Sequence, residues 1–466
     1  MLSIPSRSGA LPSTVPAISA GGNFDFAALR RREFARLDEL GHCYLDYTGS
    51  ALYGVSQVNA QAQLLAAGLF GNPHSESSTA RASTAIIEQA RAEVLRFLGV
   101  DETSHLVCFT ANSSAALKLV AESYPFGADR PLLLSADNHN SINGVREYAR
   151  RAGAAIRVLP LNAELELDDP ESVIDAVATA GAGLLAFPAQ SNFSGALHPL
   201  SLVRYARERG LQVMLDIAAF APSHAVDLRV CPADFVALSF YKLFGYPTGL
   251  GALVMRRDVV PLLRRPWFAG GSVRYASVQA DLHRLQDGAE GFEDGTPNFL
   301  GIAALAAGFG LLREVGMERL AAHVASLSVR LLDSLQSLRH ANGAPLVLVY
   351  GPHDRTVRGG VVTFNLLDQQ GAVVPYATVE VAARDAGISV RGGCFCNPGA
   401  AEAAFGQEPA RLAQCLGRLA DGFTPQRLAD CSGRAVGAIR ASLGLASNAS
   451  DLDRLVDLLT RFAASS

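Results

Sequence analysis

The chain has 466 residues, 49% of them apolar, and 40 basic against 44 acidic side chains give a formal charge of −4. One small binding module is excluded, because domains run to about 100–200 residues and two or three compact units are expected. The near-neutral balance lacks the electrostatic footprint of a nucleic-acid or anionic-membrane binder, so small molecules or proteins are the expected partners.

Residues 1–24 are rich in Ser and Pro, with one Arg, no acid and no continuous apolar h-region. They read as a disordered arm, with a weak transit peptide as the alternative. From about Cys43 to Arg257, short apolar runs alternate with helical stretches. LVCFT (106–110) precedes SSAALKLVAESY and PLLLSAD precedes SINGVREYARRAG; IRVLPL, LLAFPAQ, LQVMLD, FVALSF and GALVM follow. Strands at this spacing with helices between them predict an α/β fold, with a mainly parallel sheet covered on both faces. Ligands in such sheets gather at the carboxyl ends of the strands.

A Gly/Pro-rich boundary spans roughly 267–297, after which GIAALAAGFGLLREVGMERLAAHVASLSVRLLDSLQSL reads as two helices. A smaller α+β unit follows, with strands at PLVLVYG, GGVVTFNLL and GISVRGG. Its last helix, SDLDRLVDLLTRFAA, would be capped by Ser450 or Asp451. No apolar run approaches the ~20 residues that span a bilayer. Seven cysteines (43, 108, 231, 394, 396, 415 and 431) are odd in number and thinly spread, which favours a reducing compartment over a disulfide framework.

Almost all the positive charge is Arg; the two lysines are Lys118 and Lys242. Lys242 sits in an apolar stretch at a strand end, where a buried amine has a depressed pKa and can form a Schiff base with an aldehyde. Asp216 ends LQVMLD and is suited to pair with a pyridinium nitrogen. Ser113 and Ser114 open a helix after a strand, a place where free N–H groups favour a phosphate. Thr296 adds a hydroxyl on the FEDGTPNFLG loop. His139 ends another strand and could stack on a ring, and Gln190 and Asn192 could donate to a phenolic oxygen.

In SVRGGCFCNPGA, Arg391 offers a planar fork to a carboxylate, and Cys394 and Cys396 lie on a Gly/Pro-containing segment expected to be mobile. Each residue also has a plainer reading. The lysine can reach solvent, a serine can be an N-cap, the histidine a loop hydrogen-bonder, the arginine a surface ion pair and the cysteines inert hydrophobes. No Cys/His spacing matches a zinc site, so no metal is expected.

In this order, the residues resemble the class V aminotransferase family of fold type I pyridoxal-phosphate enzymes. Within it they resemble the cysteine desulfurase branch and the N-terminal domain of molybdenum cofactor sulfurases. The resemblance rests on YLDYTGSALY (44–53), GNPHS (71–75), DNHNS (137–141), FPAQSNFSG (187–195), LSFYKLFGYPTGLGAL (238–253), FEDGTPNFLGI (292–302) and RGGCFCNPGA (391–400).

It implies a large pyridoxal-phosphate domain over 43–290 with a mainly parallel seven-stranded sheet. An arm and lead-in helix (1–42) would precede it, and a smaller α+β C-terminal domain carrying the Cys-x-Cys loop (291–466) would follow. By the same resemblance Lys242 would hold the cofactor as a Schiff base, Asp216 its ring nitrogen and His139 its face. Ser113, Ser114 and Ser239 would hold the phosphate, with Thr296 reaching across a homodimer interface. Asn192 would lie near the phenolic oxygen and the substrate carboxylate, Arg391 would bind that carboxylate, and Cys396 would accept sulfur.

Ala219 and Tyr241 depart from the pattern, standing where many cysteine desulfurases carry a glutamine and a histidine. Only 68 residues follow Pro398, enough for the small domain and not for a cofactor-binding C-terminal domain. The implied activity is conversion of L-cysteine to L-alanine with a persulfide on Cys396, passed to an acceptor protein in the cytoplasm. The alternatives are a C–S lyase or epimerase that forms no persulfide, and a scaffold that has lost catalysis.

Overall fold

The computed structural model describes residues 24–178 and 182–464, so the expected N-terminal arm lies outside the described residues up to position 23. Seven strands build the sheet that carries the site: β1 (His105–Thr110), β2 (Leu132–Ser135), β3 (Ile156–Leu159), β4 (Leu184–Pro188), β5 (Gln212–Asp216), β6 (Phe235–Ser239) and β7 (Gly251–Arg256). Their order is β1-β7-β6-β5-β4-β2-β3. β7 runs antiparallel to β1 and β6, and the other pairs are parallel, as the alternation of strand and helix predicts.

Successive side chains on a strand point to opposite faces, and this divides the core. Val107, Leu133, Leu185, Val213 and Val236 enter one apolar cluster, whereas Cys108, Leu134, Ala186, Met214 and Ala237 enter the other. Because helices cover both faces, the central strands read as continuous apolar runs. Every position of β4 and β6 is buried. At the sheet edge β3 departs from this, with Arg157 and Val158 exposed.

The segment expected to be only a boundary contains an antiparallel hairpin, β8 (Val273–Ser277) and β9 (Leu282–Leu285). Tyr275 and Leu282 are exposed on it, so no buried periodicity marked it in the sequence. The following helices, Phe299–Ala303 and Leu305–Val315, pack on the helices Val55–Ala67 and Ser78–Phe97, and Met317–Ser337 crosses the small sheet. That sheet comprises β10 (Val347–Tyr350), β11 (Val361–Leu366), β12 (Arg391–Gly393) and β13 (Ala438–Ser442), antiparallel in the order β10-β11-β13-β12.

Three expectations are corrected. The GISVRGG run divides: Ile388–Ser389 pairs in parallel with Cys43–Tyr44, and β12 joins the small sheet. The last helix, Ala449–Ala464, is capped by Asn448, whose Oδ1 accepts the Asp451 N–H at 3.0 Å. The Asp451 carboxylate instead takes Arg30 Nη1 at 2.6 Å, which ties the helix Phe26–Glu33 to the chain's last helix. Finally, the cysteines are not all free: Cys415 and Cys431 form a disulfide between the helices Pro409–Leu419 and Pro425–Ser432. No single described helix is long and apolar enough to cross a membrane.

Candidate active site

Five parallel strands deliver their carboxyl ends to one pocket of about 150 Å3. β1 leads to Ser113 and Ser114, β2 to His139, β4 to Asn192, β5 ends at Asp216, and β6 ends at Ser239 just before Lys242. Tyr241 and Ala219, the two departures from the family pattern, also line it.

Asn112, rather than either serine, caps the helix Ser113–Ser123, accepting the Ala115 N–H at 3.0 Å. Both serines are thereby released toward the pocket. Ser113 N–H donates to Ser239 Oγ at 2.8 Å, and Ser114 Oγ lies 2.5 Å from Ser141 Oγ. Ser113 Oγ is buried and makes no hydrogen bond of ordinary length. The helix start sits tight against β7 because Gly251 has no side chain; a Cβ there would fall 2.6 Å from Asn112 Cα.

Lys242 is half-buried and lines the pocket, and its Nζ makes no hydrogen bond or ion pair among the described residues. Burial holds its pKa below the ordinary lysine range; Asp216 opposes that shift, and Arg440 and Arg391 add to it. Burial raises the Asp216 carboxyl, against the pull of Lys242. His139 is held down to about 4, by burial first and then by Lys242 and Arg440. Its Nδ1 accepts the Ser141 N–H at 3.1 Å, so the neutral ring carries its proton on Nε2.

Asn192 is committed elsewhere than expected. Its Nδ2 donates to the Phe395 carbonyl at 2.8 Å, and its Oδ1 accepts from Asn397 Nδ2 at 2.9 Å. Both ends of the amide therefore hold the Cys396 loop, and the Gln190 amide packs against Gly359, where a Cβ would fall 2.4 Å from its Oε1. Thr296 does not line this pocket; it stands in the neighbouring cavity beside Thr110 and Ala115.

Arg391 does not present an open fork. Its Nε and Nη2 grip Asp46, and a buried second arginine, Arg440, takes the other Asp46 oxygen and the Asn192 carbonyl. Burial lowers Arg440 to about 10, against the pull of Asp46. The sequence reading missed Arg440, although a charge inside the apolar run AIRAS carries the same signal that singled out Lys242.

The Cys396 segment is pinned, contrary to the expected mobility. Phe395 and Cys396 both adopt left-handed backbone, at φ +57° and +58°. Such non-glycine residues cost about 1–3 kcal/mol each and persist only where their surroundings impose them. Here Asn140 N–H donates to the Cys396 carbonyl at 2.7 Å, and Arg440 stacks over the Phe395 ring at 4.8 Å. The Cys396 thiol is exposed at the tip of this held turn. Cys394 turns instead into an apolar cluster with Phe405 and Ala401, so the structure separates the two thiols.

Comparisons with known proteins identify the family and the fold. Residues 43–455 match the Aminotransferase class-V family. The chain is 34% identical to the molybdenum cofactor sulfurase of Arabidopsis thaliana, over 94% of this chain and 58% of that protein. It is 38% identical to that of Bos taurus, over 84% of this chain and 46% of that protein. The chain thus spans about half the length of the curated relatives it matches. Its fold matches a cysteine desulfurase from Thermococcus onnurineus with a TM-score of 0.77 at 23% identity, covering 94% of this chain and 98% of that one. A cysteine desulfurase from Escherichia coli gives 0.74 at 24% identity, covering 95% and 99%.

Proposed function

We propose a function from this premise: the chain belongs to the class-V aminotransferase family. It is a pyridoxal-phosphate-dependent cysteine desulfurase that converts L-cysteine to L-alanine and takes the sulfur as a persulfide on Cys396. The observation that carries this reading is the exposed Cys396 thiol, on a loop that Asn192, a residue lining the pocket, holds from both sides through the Phe395 carbonyl and the Asn397 amide.

The residues fit pyridoxal phosphate. Ser113, Ser114 and Ser239, gathered at a helix start that lines the pocket, would hold its phosphate. Asp216 would hold the ring nitrogen and the neutral His139 ring its face, while the Lys242 amine would bind its aldehyde. When bound, the cofactor supplies an electron sink for the substrate α-carbon.

The chain's own groups do the rest. An amine below the ordinary lysine range is the group suited to remove and return the α-proton. The half-exposed Arg391 supplies a charge-assisted donor for the substrate carboxylate, while the buried Arg440 helps hold Asp46 behind it. Cys396, as thiolate, takes the sulfur. The C–S bond of cysteine breaks and an S–S bond forms, so L-cysteine and a thiol become L-alanine and a persulfide with no outside oxidant.

The sulfur then passes to an acceptor protein. A homodimer is part of this reading, with Thr296 reaching the partner's phosphate. Supporting it, the 267–282 segment exposes Trp267, Phe268, Tyr275, Val278 and Leu282. The test is a single turnover with L-cysteine, expected to yield stoichiometric alanine and a gain of about 32 Da, one sulfur, on the Cys396 peptide. Alanine without the adduct would remove the persulfide, and no alanine at all would move the reaction to the lyase or epimerase alternative.

A further inference from the structure

Asp137 has no part in the reaction described above, yet it is fully buried, and a buried carboxylate is costly unless it is partnered. Its Oδ2 lies 2.8 Å from His198 Nε2. Its Oδ1 accepts from Ser191 Oγ at 2.9 Å and from Asn397 Nδ2 at 2.5 Å. Asn397, the residue after Cys396, is also fully buried. It bridges onward to Asn192 Oδ1 and caps the next helix by accepting the Ala400 N–H at 3.2 Å. Gly399 permits this close seating, because a Cβ there would fall 2.2 Å from the Ala136 carbonyl.

These contacts join the ends of β2 and β4 to a loop of the small domain, and they bracket the two left-handed residues Phe395 and Cys396. Left alone, those residues would leave that conformation. We propose that Asn397, seated on the Asp137–His198 pair, is a positioning residue that holds Cys396 in the left-handed turn and so fixes where its exposed thiol is presented. This rests on the desulfurase reading. The sulfur acceptor is thereby preorganised and needs no ordering of its loop before it meets the substrate sulfur.

The test uses Asn397→Asp, which keeps the cap on Ala400 but sets a second carboxylate against Asp137. Two substrates separate positioning from folding: L-cysteine, which needs the thiol, and 3-chloroalanine, whose chloride departs without one. The expected result is a fall of about 100-fold in kcat for cysteine, the scale of an ångström-sized misplacement. The KM and the 3-chloroalanine rate would change less than about twofold.

In the cofactor-free protein, amide exchange should quicken over 393–401 and not over β5 or β6. Adding Asp137→Asn exchanges the donor and acceptor sides while still offering His198 an oxygen, and part of the cysteine rate should return while the bond to Asn192 Oδ1 stays lost. Unchanged cysteine turnover in Asn397→Asp, an equal loss on both substrates, or no return in the double variant would overturn the assignment. A wild-type protein that consumes 3-chloroalanine but makes no alanine from cysteine would instead overturn the desulfurase reading beneath it.

Discussion

Arg391 and Asp46 meet through two nitrogens, with Nη2 at 2.6 Å and Nε at 3.1 Å from Oδ2. Arg440 Nη2 approaches the opposite oxygen at 3.0 Å. One carboxylate between two guanidiniums leaves one net positive charge, which suits a substrate bearing one carboxylate. Of the two arginines, Arg440 acts more strongly on Lys242 and is almost wholly buried, whereas the Arg391 side chain is 47% exposed.

Arg391→Lys, at the arginine that a substrate can reach, is therefore expected to raise the KM for cysteine about tenfold, since charge-assisted bonds contribute about 1.5–3 kcal/mol and 1.4 kcal/mol is tenfold. Arg440→Lys should instead loosen Asp46 and the Asn192 carbonyl and lower stability together with turnover. Steady-state kinetics and denaturant midpoints decide; an unchanged KM in Arg391→Lys would remove the role given to it.

The scarcity of lysine makes the cofactor-bearing residue directly testable. Borohydride reduction of the protein loaded with pyridoxal phosphate should mark Lys242 and spare Lys118, which is ion-paired with Glu122 at 2.6 Å. Lys242→Ala should lose the mark and all turnover, while Cys396→Ser keeps the mark and loses persulfide formation. Peptide mass spectrometry reads both, and alanine production surviving in Lys242→Ala would refute the role given to that lysine.

His139 should make the cofactor-free protein acid-sensitive. Its pKa falls from 6.5 to about 4 on folding, so between those values the unfolded chain holds a proton that the folded chain lacks. Stability then rises with pH across this window and is lost as pH falls through it, by at most about 3 kcal/mol at 1.36 kcal/mol per unit. Denaturant midpoints of wild type and His139→Gln should diverge with pH there. Parallel profiles would mean that the ring is not buried as described.

The Cys415–Cys431 disulfide closes a loop of sequence separation 16, worth about 3 kcal/mol in a chain-entropy account. Its apolar cluster with Leu419 and Leu428 is separate from the main core. Reduction, or Cys415→Ser, should speed amide exchange over 409–432 and leave cofactor affinity unchanged. Weakened cofactor binding would show that these helices support the pocket.

Most of the sheet, and the strand-end positions of Lys242, Asp216, Ser113 and His139, were legible in the sequence. Apolar runs and the residues that end them are local patterns, and a parallel sheet brings those ends together by its topology alone. The hairpin β8–β9 was not legible, because an exposed pair of strands leaves no buried period.

The duties of Asn192, Arg391 and Asn397 were equally out of reach. Asn397 meets Asp137 across 260 positions, and Arg440 meets Asp46 across 394. Composition and spacing identified these side chains as polar groups able to bond. Which partner each one takes is set by how the segments around the four-stranded sheet pack on the strand ends of the seven-stranded one, since a hydrogen bond needs its atoms within about 3 Å and only the tertiary fold determines that distance.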